Sequence, residues 1–163
     1  MNSNNKAAIQ YVEKEARLNL EQASQIVKHV CYMSSISNEN LASLQSNIKS
    51  NAHVALHFHP DRLNHDGLTV IESLTKAGRY LNQFESNLSN GLLAPFAGSA
   101  RMKWEEKMFE NAYGLESDLL ACRPKYGSLN LLGACNGPSP RFGSCYFVLN
   151  LGVTKHCTFT YKD

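Results

Sequence analysis

Apolar residues recur along the first third of the chain at steps of three and four: Ile9, Val12, Ala16, Leu20, Ala23, Val27 and Val30. That spacing places them on one stripe of a helix, and neither Pro nor Gly interrupts it between Met1 and Ala52. The stripe breaks over Ser34 to Asn40, where Asn38 is the expected N-cap of a second helix carrying Leu41, Leu44 and Ile48. Residues 1–51 therefore read as a helical hairpin that serves as scaffold.

The period then changes to two. In His53-Val54-Ala55-Leu56-His57-Phe58-His59, apolar Val54, Leu56 and Phe58 alternate with His53, Ala55, His57 and His59, which predicts a strand with one buried face. Pro60 lacks a backbone donor and ends it. Leu68 to Ala77 predicts a helix with Gly78 as its C-cap. Ser89-Asn90-Gly91 marks a turn in a polar stretch, and Ser99 can cap a helix through Met102, Trp104, Met108 and Phe109, with Trp104 and Phe109 as core residues. After the punctuated loop Arg123 to Gly127 comes an apolar run, Leu129 to Leu132, and the Gly- and Pro-rich Gly133 to Gly143 reads as loop. Ser144 to Leu149 and Cys157 to Tyr161 are rich in aromatic and β-branched residues and read as strands, with Cys145 as a small core residue. Helices first and a mixed second part argue for an α+β chain: the hairpin, then a small curved mixed β region with inserted helices over residues 52–163.

Length and composition narrow the function classes. A chain of 163 residues suits one domain with a small helical piece attached. No apolar run approaches the roughly 20 residues that span a bilayer, and Met1 to Lys6 leads into no secretory signal. A formal charge of +2, thinly spread, gives no electrostatic footprint for nucleic acid or an anionic membrane. Five cysteines with no Cys-x-x-Cys pair argue against a disulfide framework or a structural zinc. The expected location is cytoplasmic, or outside the cell by way of a specialised secretion machine that needs no cleaved signal.

The densest chemistry lies at the end of the predicted strand. His57 and His59 fall on the same strand face, and Asp61 and Arg62 follow in the turn. Two histidines, a carboxylate and a guanidinium this close support several readings. Arg62 offers a planar donor fork for a phosphate or carboxylate, and the imidazoles can hydrogen-bond sugar hydroxyls or phosphate oxygens. A His-x-His pair with Asp61 or Asp66 could instead hold zinc, manganese or iron, resembling metal-dependent phosphoesterases of the polymerase-and-histidinol-phosphatase type. His59-Pro60-Asp61 is also the tripeptide of J-domain co-chaperones, but there it joins two helices. The bland reading is a histidine pair that satisfies buried backbone. Tyr126, beside Arg123, is a candidate for stacking on a base or ring.

An ordered set of segments carries a wider resemblance: Leu56 to Arg62, Gly78-Arg79-Tyr80, Gln83-Phe84-Glu85, Ser89-Asn90-Gly91, Trp104-Glu105, Ala112-Tyr113, Arg123 to Gly127 with Leu129-Asn130, Pro140 to Cys145, and Thr158 to Tyr161. On these the chain is identified as a member of an uncharacterised bacterial domain-of-unknown-function family over roughly residues 53 to 163. The pattern also resembles, distantly, the ADP-ribosyltransferase superfamily, where an early strand presents an Arg or His to NAD, a later strand begins with Ser after an aromatic, and a final strand carries a glutamate. The resemblance implies an NAD site formed by His57, His59, Asp61 and Arg62, with Arg141, Ser144 and Tyr126 also contributing, and a dissociative transfer of ADP-ribose to a protein acceptor. In such a step a carboxylate steadies the oxocarbenium ion. Arg62 and Ser144 are the catalytic candidates it implies. No Glu follows Glu116 in this chain. Three readings of that departure stay open: truncation before the glutamate strand, Glu85 or another acid in the role, or a family that is not a transferase. Apart from the transferase, the rivals are a divalent-metal hydrolase built on the His-x-His strand end and a non-catalytic partner-binding relative.

Overall fold

The computed structural model describes residues 2–89, 93–114 and 120–160. Asn90 and Gly91 of the expected turn, Glu116, and Tyr161 of the expected last strand lie outside the described residues. The chain is α+β, with helices first and a three-stranded antiparallel sheet after them.

The N-terminal segment forms three helices rather than two: α1 (Ser3–Leu18), α2 (Leu20–Met33) and α3 (Asn38–Asn51). The apolar stripe runs through the break between α1 and α2. At the junction Asn19 leaves the helical region (φ −95°, ψ 3°), and its side-chain amide donates to the Glu15 carbonyl. Such local side-chain bonds let an Asn compete with helix continuation. Ser37, not Asn38, caps α3, its hydroxyl accepting from the Asn40 N–H. The segment attaches through α1. Ala8 packs with Phe109 and Tyr113, Val12 lies against them, and the Tyr113 hydroxyl donates to Asn5 Oδ1. Along α2, Ile26, Val27, Val30 and Met33 keep a third or more of their surface exposed.

One buried residue, Ala52, joins α3 to β1 (His53–Phe58). β1 is the central strand. It pairs with β2 (Ser128–Asn130) in the register Val54 to Leu129, and with β3 (Cys145–Val148) in the register Phe58 to Cys145. The alternation predicts one buried face, but both are covered: Val54, Leu56 and Phe58 on one side, Ala55 and His57 on the other. The second cover is the Gly133–Gly143 loop. Gly137, at φ +73°, brings its α-carbon so close that a Cβ there would stand 2.6 Å from the His57 ring, and a Cβ on Gly143 would stand 2.0 Å from the Phe58 carbonyl carbon. A period-two pattern cannot distinguish a solvent-facing strand face from one capped by a loop of small residues.

Between β1 and β2 lie α4 (Val70–Ala77), α5 (Gln83–Ser86) and α6 (Ala100–Met108). Gly78 and Ser99 take the capping positions expected of them, with Ser99 accepting from the Met102 N–H. The inward face of α6 agrees with expectation at Phe109 and differs at Trp104. Trp104 is exposed, and the residues turned inward are Arg101, Glu105 and Phe109, each four apart. Two further expectations are overturned. Cys145 is exposed, because β3 is an edge strand. Cys157 to Thr160 forms no strand and follows a 3-10 segment, Leu151–His156.

Candidate functional site

Proline ends β1, and the chain beyond it is tied to the start of α4. The Ile71 N–H donates to the Pro60 carbonyl and the Val70 N–H to the Arg62 carbonyl, while Leu63 and Thr69 form an isolated bridge. Thr69 and Glu72 make a capping box on α4. The turn that carries Asp61 and Arg62 is thus held at a helix N-terminus and at a strand end, a rigid mount for exposed side chains.

His57 and His59 have different roles. His57 is 4 % exposed. Its Nδ1 donates to the Gly143 carbonyl at 2.9 Å and its Nε2 accepts from the Ser139 N–H at 3.2 Å, which together fix the tautomer. The Tyr146 ring lies beside it, 5.0 Å between centroids. His57 therefore pins the Gly-rich loop to the sheet. His59 is half-buried and Asp61 exposed, and neither makes a hydrogen bond among the described residues. Arg62 is exposed and uses one Nη1–H on the Ser89 carbonyl at 2.7 Å, leaving most of its donor fork open to solvent.

The sheet register brings the second half of the expected site alongside. Because Phe58 pairs with Cys145, exposed Ser144 enters β3 where β1 gives way to His59. Arg141 sits in a 3-10 turn (Pro140–Phe142), its guanidinium 4.5 Å over the Phe142 ring. His59, Asp61, Arg62 and Ser144 thus share one end of the sheet, with Arg141 in the turn that leads into it.

Glu85 and Tyr126 stand elsewhere. Glu85 belongs to the capping box of α5: one carboxylate oxygen accepts from the Asn82 N–H and the other pairs with Arg79. Burial pushes its carboxyl upward, but the Arg79 and Asn82 hydrogen bonds and the charges of Arg79 and Lys125 outweigh burial and hold it below the usual carboxylate range. The Tyr126 ring is already flanked, by Trp104 at 5.6 Å and by the Arg101 guanidinium at 5.4 Å. Its hydroxyl is enclosed and meets no acceptor at hydrogen-bond geometry. Burial first, and the nearby Glu105 carboxylate second, still push its ionisation well above the usual range.

A buried polar cluster is the largest feature that the sequence pattern did not disclose. Arg123, 1 % exposed, pairs with Glu105, 2 % exposed, donates to the Tyr113 and Gly114 carbonyls and stacks 4.0 Å over Phe84. Asn82 caps α5 and donates to the Leu120 carbonyl at 2.6 Å. Arg101 reaches the Leu93 carbonyl and the Ser89 hydroxyl, so Ser89 links this cluster to Arg62. The four-residue spacing of Arg101 and Glu105 was the available signal, masked by apolar Met102 and Met108 on the same helix.

Between the strand end and α5 lies a small cleft, open to solvent, with walls from Phe58, Val70, Leu74, Tyr80 and Leu88. Burial raises the Tyr80 hydroxyl to about 12, so at neutral pH it stays protonated and donates to the His57 carbonyl. No three His, Cys, Asp or Glu side chains meet in a metal-holding group among the described residues. No described helix is long and apolar enough to cross a membrane.

Neither the curated proteins nor the solved structures gave a significant match. Residues 53–163, from the first residue of β1 onward, match the family model described as Protein of unknown function (DUF3626), and the chain belongs to that family.

Proposed function

We propose that this chain binds NAD at the exposed end of β1, as an ADP-ribosyltransferase-like protein. One observation carries the reading: His59, Asp61 and Arg62 lie at a strand end that the register shares with Ser144, and His59 and Asp61 have no hydrogen-bond partner among the described residues. Arg62 supplies a fork for a pyrophosphate oxygen. His59 and Ser144 can bond ribose hydroxyls, and Arg141 adds positive charge. His57 supports the site from beneath by holding Gly143 in place. Glu85 is committed to Arg79 and to the α5 cap, so the proposal concerns binding and derives no transfer step.

A divalent metal at the same place is the weaker reading, since both ring nitrogens of His57 are engaged with backbone. Equilibrium dialysis against labelled NAD tests the proposal. Arg62→Ala should weaken binding by about tenfold to a hundredfold, the worth of a charge-assisted hydrogen bond. Unchanged affinity in that variant, or no retention by the native chain, would contradict it.

A further inference from the structure

β3 leaves a row of backbone groups unused along its outer edge. The Leu149 N–H donates to the Val54 carbonyl at 2.8 Å, and this pair continues the register in which Leu56 meets Phe147 and Phe58 meets Cys145. In an antiparallel ladder, residues that bond the neighbouring strand alternate with residues that face away from it. Cys145, Phe147 and Leu149 therefore turn their backbone groups toward β1. The opposite side of β1 agrees: the His57 carbonyl points away from β3 and accepts from the Tyr80 hydroxyl. Tyr146 and Val148 accordingly aim their N–H and C=O groups out of the sheet, and these groups have no partner among the described residues.

Natural sheet edges are blunted by a charged residue, a proline or a bulge. Cys145-Tyr146-Phe147-Val148 carries neither charge nor proline, and its pairing with β1 runs residue for residue without a bulge. Phe147 is 43 % exposed and Val148 53 %. The edge is also complementary to itself. A second β3 laid antiparallel across a two-fold axis at Phe147 pairs Tyr146 of each copy with Val148 of the other. That register uses every outward N–H and C=O of both strands, and a shift by two residues leaves an outward residue of each strand beyond the end of its partner. Phe147 then faces Phe147 of the second copy at a non-hydrogen-bonded position, where side chains lie closest, and Cys145 faces Leu149. Phe147 already stacks on Phe58 at 5.0 Å, so the contact carries an aromatic row across the axis. No charged residue lies between Cys145 and Asn150 to oppose the approach.

We propose that the β3 edge is an interface between two copies of this chain, joined through antiparallel β3 strands into one continuous sheet. The inference does not depend on the NAD reading. Sedimentation equilibrium of the whole chain tests it. The mass should rise from the 18.1 kDa of one chain toward twice that value between about 1 μM and about 1 mM, the range of a small, weak interface. Val148→Pro removes an outward N–H without touching the bonds to β1. It should keep the native far-UV circular dichroism and stay at the mass of one chain. Leu149→Cys supplies a second readout. Opposite the native Cys145 of the second copy, it should give a disulfide-linked dimer on oxidation, and adding Cys145→Ser should abolish the link. A native chain that stays single throughout overturns the proposal. So does a Val148→Pro chain that still associates, or a folded Leu149→Cys chain that forms no Cys145-dependent link. If Val148→Pro fails to fold, the Leu149→Cys link decides alone.

Discussion

The two histidines of the strand show how burial divides chemically identical residues. His57 spends both ring nitrogens on backbone groups of the Gly133–Gly143 loop, so its removal leaves a buried N–H and a buried carbonyl without partners. His57→Ala should lower stability by about 1–3 kcal/mol for each group stranded, read as a shift in the urea midpoint. The buried pair Arg123–Glu105 predicts more. Arg123→Ala strands a carboxylate that is 2 % exposed and should cost about 3–5 kcal/mol, whereas replacing both partners, Arg123→Met with Glu105→Leu, should recover most of that loss. Comparing the urea midpoints of the single and double variants checks this. A double variant as unstable as the single one would mean that the pair holds the fold through its carbonyl bonds to Tyr113 and Gly114 rather than through its charges.

At the scale of elements, local rules were legible and long-range cover was not. Gly78 and Ser99 were readable as caps because a cap depends on a few neighbouring residues, and the strand His53–Phe58 was readable because alternation is local. The break at Asn19 was missed because a three-to-four spacing continues across it without loss of phase. The second covered face of β1 was missed because its cover comes from residues about 80 positions away along the chain. The polar inward face of α6 was missed for the same reason: Glu105 is tolerable inside only with Arg123 opposite it. At the candidate site, the cluster from His57 to Arg62 was readable from composition alone. Its split into a buried anchor and an exposed group was not. Gly143 gives the element-scale test. At φ +146° and against the Phe58 backbone, Gly143→Ala should cost at least about 3 kcal/mol from strain and overlap together, with loss of the His57 bond visible as a changed imidazole NMR signal.

For the whole molecule, three tyrosines, Tyr113 buried and Tyr80 and Tyr126 partly buried, set the alkaline limit. Burial raises the hydroxyls of Tyr80 and Tyr113 to about 12, and that of Tyr126 also rises. A raised folded-state value favours the neutral form in the folded protein, so this contribution is complete below the ordinary tyrosine value of about 10 and is lost as pH rises from there toward about 12. Urea unfolding between neutral pH and pH 11 should show stability falling above about pH 10, with a shallower fall in Tyr80→Phe. At the acid end, Glu85 lies below its ordinary value, so its contribution is present above the ordinary carboxylate range and fades as pH falls through it. If the proposed NAD site exists, NAD should stabilise the folded chain, and this gives the most direct test of that proposal. A melting curve in millimolar NAD, if that is about a hundredfold above the dissociation constant, should gain roughly 2.7 kcal/mol, or about 5–10 °C for a domain of this size. The account predicts that rise for the native chain and its loss in Arg62→Ala. No rise in the native chain, or an equal rise in the variant, would contradict it.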